Sequence, residues 1–289
     1  METKPVKPER KPDWLRIKLP GVNDYSYIKD YLSDFQLHTI CESGKCPNMA
    51  ECWEQKTATF MILGNSCTRA CRFCAVSKSQ PLAPDPDEPR KLAEAIKKIG
   101  LKHCVITSVT RDDLPDGGAG IWHDAIIAIK QKNPGITIEA LIPDFNGNHD
   151  SLDLLVKAQP DIISHNLETV SRLTPEIRIK ARYALSLEVL HYLACKGITT
   201  KSGIMLGLGE TPEEIYETMD DLLNVQCRII TIGQYLQPSK KHFPVKKYYS
   251  PAEFEQLKKI ALEKGFEFAE SGPLVRSSYH ASKHIKTDN

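Results

Sequence analysis

From about residue 58 the chain repeats one pattern: a short apolar run, a turn, then a stretch with apolar positions at helical spacing. The apolar runs fall at residues 59–64, 104–109, 136–142, 162–165, 198–206 and 229–235, and the amphipathic stretches at 88–99, 121–132, 152–158, 185–196 and 212–225. The last of these opens on Thr211-Pro212-Glu213-Glu214, which supplies an N-cap, a proline in the first turn and early acids. Strands alternating with helices predict a parallel sheet built from βα units. Six units fall short of the eight that close a barrel. The expected fold is therefore α/β, a partial (β/α)6 TIM-like barrel with N- and C-terminal extensions. Its active site belongs at the C-terminal ends of the strands.

Both flanks depart from the repeat. Residues 1–57 are rich in Cys, Pro, Lys and Glu and show no period, so they read as an N-terminal extension, its first residues an extended surface arm. Residues 58–250 form the expected barrel. Residues 251–289 hold a further helix over 251–264, a short run at 266–269 and a polar tail. A chain of 289 residues suits one large α/β domain or two small ones, and no internal linker is long enough to mark a second.

Composition narrows the function classes. A formal net charge of +1 gives no electrostatic reason to expect nucleic-acid binding. No apolar run approaches the roughly 18 residues of a membrane span, and the basic, proline-rich start has no apolar segment of the secretory kind. A cytoplasmic location without nucleic-acid or membrane partners is expected. Nine cysteines, an odd count, argue against a disulfide framework and for metal or redox chemistry in a reducing compartment. Six lie between Cys41 and Cys74; of the others, Cys104 and Cys227 read as small buried hydrophobes and Cys195 carries no reading.

Cys67-Thr-Arg-Ala-Cys71-Arg-Phe73-Cys74 follows the first strand with the spacing CxxxCxxC. Three thiolates this close can grip a 4Fe-4S cluster while leaving one iron without a protein ligand; ferredoxin-type sites supply four. An open position is what separates catalytic metal sites from closed structural ones. Zinc is the bland alternative, but it takes four ligands in matched pairs, and no second CxxC pair is present. Upstream, Cys41, Cys46 and Cys52 form a second triad, CxxxxCxxxxxC, that matches neither ferredoxin pattern. Each triad is compact, so two clusters fit better than one six-cysteine site.

The residues CTRACRFC resemble the radical S-adenosylmethionine superfamily, and CESGKCPNMAECW followed by TATFMILGNSCTRACRFCAV resembles the lipoyl synthase family. The likeness extends through KPDWLRIKLP, VITSVTRDDLPDGGA, HNLETV, GIMLGLGET and RSSYHA, nearly the whole chain. It implies that S-adenosylmethionine chelates the open iron and is cleaved to a 5′-deoxyadenosyl radical, with Phe73 beside the adenine. It also implies that the second triad holds an auxiliary 4Fe-4S cluster used as the sulfur source, with a serine of the RSSY motif as fourth ligand. Ser277 is the matching residue and Ser278 the competitor. Asn166, Glu168 and Gly207, on the segments after the fourth and fifth strands, are the implied S-adenosylmethionine contacts, although capping and turn chemistry suit them too.

The resemblance further implies an octanoylated lipoyl carrier domain as protein substrate and a reducing electron donor. The reaction would insert sulfur at C6 and C8 of the octanoyl chain. Arg111, Asp112 and Asp113 could bind a ligand or form a solvated loop. Gly117-Gly118 ends in Ala119 rather than Glu, so a GGE role does not transfer. Lys240, Lys241, Lys246 and Lys247 form a basic loop, either a carrier-docking surface or a solvated one. Two rivals remain at this level. An RNA methylthiotransferase would add a nucleic-acid module, and a ferredoxin-like carrier would need four ligands per cluster.

Overall fold

In a computed structural model, which describes residues 11–16, 35, 37–44, 46–49, 52 and 58–284, all six apolar runs form strands of a single sheet. The strands are β1 (His38–Thr39), β2 (Thr59–Ile62), β3 (His103–Ser108), β4 (Thr137–Leu141), β5 (Ile162–Ser164), β6 (Thr200–Leu206), β7 (Ile229–Gln234) and β8 (Phe268–Gly272). They lie side by side in chain order. β1 runs antiparallel to β2, and every later neighbour is parallel. The expected partial barrel is present, extended by one strand at each edge.

β8 is the larger addition. It pairs with β7 from Ile229–Phe268 to Gly233–Gly272, so the sheet continues past residue 250, where the barrel was expected to end. Only Ala269 in β8 is fully buried. The short run at 266–269 overlaps its start, but an edge strand is covered on fewer sides and needs little apolar sequence, so the pattern did not mark it as part of the sheet.

The helices are α1 (Ile40–Ser43), α2 (Glu88–Ile99), α3 (Ala119–Lys132), α4 (His149–Ala158), α5 (Thr174–Ile177), α6 (Tyr183–Cys195), α7 (Pro212–Asn224) and α8 (Pro251–Lys264). Both halves of a capping box close the starts of α7 (Thr211 with Glu214) and α8 (Ser250 with Glu253). Gly100, at φ +76°, ends α2 in the left-handed conformation that glycine adopts without strain. The apolar stripes of α2, α3 and α4 pack with β2–β5 around Leu92, Ile96, Trp122, Ile126 and Leu155. Ile215, Met219 and Leu222 of α7 pack with Phe254 and Leu257 of α8 against β6 and β7.

The inward face is more polar. Side chains alternate across a strand, so Lys201, Gly203 and Met205 share one face of β6, and Glu139 and Leu141 share one face of β4. Lys201 and Glu139 are fully buried, with Nζ 2.8 Å from Oε2; Ser164 donates to the other carboxylate oxygen at 2.6 Å. His284, from the C-terminal tail, places Nδ1 3.3 Å from the same ammonium. The chain thus ends its described length inside the barrel floor, while the upper interior stays open.

Candidate active site

The loop after β2 carries the CxxxCxxC motif and is held from several sides. The Thr68 amide and hydroxyl both donate to Thr110 O, at 3.0 and 2.9 Å. The amides of Arg69 and Thr110 each lie 3.4 Å from Cys67 Sγ. Arg72 N donates to Ile177 O, Phe243 N donates to Arg72 O, and the His242 ring lies 3.1 Å from Cys74 O. Segments following β3, β5 and β7 therefore all contact the cysteine loop.

Arg69 is the central clamp. Its Nε and Nη2 reach Asp112 at 2.9 Å each, and its Nη1 and Nη2 reach Asp144 at 2.7 Å each. Burial alone would raise the Asp144 carboxyl, but the bidentate guanidinium holds it down at about 2. Asp112 is lowered in the same way. Arg111 is engaged separately, with Nη2 on Asp113 at 2.7 Å and Nη1 on Leu63 O. The Arg111–Asp113 segment is therefore a brace for the cysteine loop rather than a solvated loop.

Cys67, Cys71 and Cys74 line a cavity of about 350 Å³ at the C-terminal ends of the strands. Cys41 and Cys46 line the same cavity from the other side. A small adjoining pocket brings Cys52 together with Cys41 and Cys46, alongside Asn48, Arg276, Ser278 and Tyr279. The second triad is shaped by local bonds: Thr39 caps α1 through the Glu42 amide, Cys46 N donates to Cys41 O, and Cys52 N donates to Asn48 O. Asn48 Nδ2 reaches Leu274 O at 2.6 Å and ties this segment to the tail.

Burial pushes the Cys74 thiol up to about 12 and raises Cys71 and Cys46 as well. Such thiols become thiolates when a cationic partner binds them. Among the described residues no three His, Cys, Asp or Glu side chains converge on a point as a single ion requires. A cluster puts each thiolate on a different iron, so its ligands need not converge. The donor set fits clusters better than zinc.

Polar groups line the wall opposite the first triad. Asn166 Nδ2 donates to Glu168 Oε1 at 3.0 Å and to Ser277 Oγ at 2.6 Å, while its buried Oδ1 has no partner among the described residues. A Cβ at Gly203 would lie 3.0 Å from that oxygen and 2.6 Å from Thr231 Oγ1, so only glycine leaves room here. Glu168 sits at φ +67°, held by Gly203 O on its amide and Met205 N on its carbonyl. That conformation costs about 1–2 kcal/mol for a non-glycine residue, and the strand pairing holds it in place. Burial raises the Glu168 carboxyl, against the opposing pull of Arg178 and Asn166. Arg178 donates from Nη1 to Leu167 O and Ser186 Oγ; its buried Nε is unpaired among the described residues. An unpaired acceptor and an unpaired donor on one cavity wall suit a polar ligand.

Phe73, Asn166 and Glu168 line the cavity, while Gly207 and Ser277 are placed differently from the expectation. Gly207 is not part of the lining. It ends β6 at φ +101°, packed against Gln234 and Lys247 O, and its amide donates to Glu210 Oε1. Gly203 and Met205 take the cavity face instead. Ser277, expected beside the second triad, turns its hydroxyl to Asn166, whereas Ser278 shares the small pocket with Cys41, Cys46 and Cys52. The two serines are the central residues of a turn closed by Tyr279 N on Arg276 O, and their hydroxyls leave it toward different neighbours.

Arg69, Arg178 and Arg276 were missed by sequence reasoning as site residues. Arg69 and Arg276 lie inside quoted motifs, but spacing gives an arginine no role. Arg276 lines both pockets; burial lowers its pKa, opposed by Cys46 and Glu168. Cys104 and Cys227 are buried in the core, as the sequence indicated, with the Cys227 thiol pushed up to about 12.

The chain matches the Radical SAM superfamily over residues 61–222 and the N-terminal domain of lipoyl synthase over residues 2–46. It is 56% identical over 278 residues to the mitochondrial lipoyl synthase of Nematostella vectensis, covering 96% of each chain. It is also 56% identical over 280 residues to the lipoyl synthase of Bacteroides fragilis, covering 97% of each. Among solved structures it resembles Streptococcus suis SuiB bound to S-adenosylmethionine at TM-score 0.59 and 14% identity, covering 77% of this chain and 53% of that one. It resembles methylornithine synthase at TM-score 0.57 and 13% identity, covering 83% and 74%. These structural likenesses establish the fold alone.

Proposed function

The chain belongs to the lipoyl synthase family of the radical SAM superfamily, and from that premise we propose how its own residues divide the work. The reaction is radical, S-adenosylmethionine-dependent insertion of two sulfur atoms, at C6 and C8, into an octanoyl group carried on a protein. Alkane C–H bonds are too strong for side-chain acids and bases, so the bound 4Fe-4S cluster and S-adenosylmethionine supply the one-electron chemistry that breaks them. Everything else falls to the protein.

Cys67, Cys71 and Cys74 would hold the first cluster by three corners, with Phe73 packed beside the nucleoside. Arg69, locked to Asp112 and Asp144, fixes the loop that would hold the cluster beside the cavity. Asn166 Oδ1 and the Glu168 carboxylate would accept polar hydrogens of S-adenosylmethionine, and Arg178 would offer a cation to its carboxylate. Cys41, Cys46 and Cys52 would hold an auxiliary 4Fe-4S cluster, with Ser278 in the place first expected for Ser277. A serine oxygen is a harder donor than thiolate and exchanges from iron more readily, which suits a cluster that gives up sulfur. Arg276, between the two pockets, balances negative charge on that side. Apolar Leu236, Pro238 and Met205 exclude water from the space between the triads. A reducing electron donor and an octanoylated carrier domain complete the system.

One observation carries this reading: Cys67, Cys71 and Cys74 line one cavity together with Cys41 and Cys46 of the second triad, as transfer of sulfur to a carbon activated at the other triad requires. The test is anaerobic incubation of reconstituted protein with reductant, S-adenosylmethionine and an octanoylated lipoyl domain, followed by intact mass. Gain of sulfur with release of deoxyadenosine is expected. Deoxyadenosine without sulfur gain would refute the division of labour. Cys46→Ala should still release deoxyadenosine but add no sulfur, and full activity in that variant would overturn the second assignment.

A further inference from the structure

The chain as a whole carries almost no net charge, yet exposed cations lie beside the cavity lining at Lys180, Lys240 and Lys241. The cysteine loop and two segments that contact it, residues 176–182 and residues 236–243, form one side of the rim. Their contacts are those of Arg72 with Ile177, Phe243 with Arg72 and His242 with Cys74. Phe73, Arg178, Ala181, Leu236 and Pro238 from these segments line the cavity. The neighbouring side chains Ile179, Lys180, Lys240 and Lys241 are exposed. Glu176 is the one carboxylate in the two later segments, and Arg72 engages it at 3.0 Å. Among the described residues, neither Lys240 nor Lys241 has a carboxylate partner, whereas Lys247 is tied to Glu253 at 2.7 Å. Lys180 makes only a long contact, 3.4 Å, to Thr68 O. Beside it Ile179 is 59% exposed, one of few large apolar side chains left in water.

We propose that this rim segment, Ile179-Lys180 with Lys240-Lys241, is the docking surface for the protein that carries the octanoyl group, and that it receives an acidic face of that carrier. The inference rests on the protein-bound substrate reading above and names where the protein part sits. A tethered chain can enter the cavity only if its carrier settles on the rim. Unpaired ammonium groups attract a carrier of opposite charge from a distance, which raises the encounter rate. Ile179 then supplies an apolar contact at the centre of a charged border, the usual layout of a transient interface. An exposed isoleucine flanked by cations would otherwise gain nothing from its position. The solvated-surface alternative for the basic loop predicts no effect on any substrate.

The test compares two substrates with the holoenzyme: a whole octanoylated carrier domain and a short octanoylated peptide. Lys240→Glu/Lys241→Glu should raise KM for the domain about tenfold, leave kcat within twofold, and leave both constants for the peptide unchanged. Its kcat/KM for the domain should also depend less on salt than that of the wild type, and Lys240→Arg/Lys241→Arg should restore wild-type behaviour. Ile179→Ala should raise KM for the domain alone, by a smaller factor. Equal losses on domain and peptide would mean that these residues act through the cysteine loop, and no change on either would mean a solvated surface; both overturn the proposal. Failure of the wild type to add sulfur to either substrate would instead overturn the underlying reaction assignment.

Discussion

Ser277 and Ser278 differ by one position and face different chemistry. The Ser277 hydroxyl accepts from Asn166 Nδ2, and Ser278 lines a small pocket with Cys41, Cys46 and Cys52. Ser278→Ala should therefore abolish sulfur insertion and lower iron retained after desalting, with deoxyadenosine release preserved. Ser277→Ala should keep its iron and instead weaken S-adenosylmethionine binding severalfold, measured by equilibrium dialysis. The opposite assignment would restore the expectation at Ser277. Gly203 gives a second test at this scale. A Cβ there would press on Thr231 Oγ1 and displace Asn166 Oδ1. Gly203→Ala should reduce S-adenosylmethionine affinity tenfold or more while the far-ultraviolet circular dichroism stays unchanged. Wild-type affinity in this variant would mean Asn166 Oδ1 does not face the ligand. Glycine at this position is legible in the sequence, but the reason for it is a neighbour 37 residues upstream, Asn166, which spacing along the chain does not reveal.

The elements that hold the site are loops braced by buried ion pairs. Arg69 and Asp144 are 5% and 1% exposed, and the pair joins the cysteine loop to the segment after β4. Asp144→Asn leaves Arg69 with Asp112 as its remaining carboxylate and should destabilise the fold by about 2–4 kcal/mol. A fall in Tm of several degrees is expected, together with faster loss of the iron–sulfur absorbance on dilution. On the barrel floor, Lys201→Met strands the fully buried Glu139 carboxylate and should cost about 3–5 kcal/mol. Lys201→Met/Glu139→Leu should recover much of that loss, as replacement of a whole buried pair by apolar groups often does. A double variant no more stable than Lys201→Met alone would assign the loss to packing, not charge. The strand and helix pattern was read nearly completely from periodicity. The braces were not, because an ion pair across two loops leaves no period in the sequence.

At the scale of the whole molecule, the barrel interior holds histidines that fold uncharged. Burial pushes His165 down to about 4, with Arg178 adding to the effect and Asp144 opposing it. Burial likewise pushes His284 down to about 3, reinforced by Lys201 and His103, and lowers His103 itself, where Glu139 opposes. An unfolded chain binds these protons near pH 6.5 and the folded one well below it, so acid favours unfolding. The contribution of His165 and His284 is complete above about pH 6.5 and falls as pH drops toward 4, by on the order of 1 kcal/mol per unit for each of the two. Asp144, held at about 2, keeps its own contribution until below about pH 4. Urea midpoints at pH 7.5, 6 and 5 should therefore decline steadily, and a flat profile would refute neutral interior histidines. The sequence by itself determined the chemistry: two compact cysteine triads and a βα repeat are local patterns, set by residue type and spacing. Only the tertiary structure decided that cysteines of both triads line one cavity, that β8 extends the sheet, that Ser278 shares the small pocket with Cys41, Cys46 and Cys52 while the Ser277 hydroxyl meets Asn166, and that Gly207 lies outside the lining. Those outcomes depend on which way each side chain faces after distant segments pack, and that direction is fixed by contacts between segments far apart in the chain.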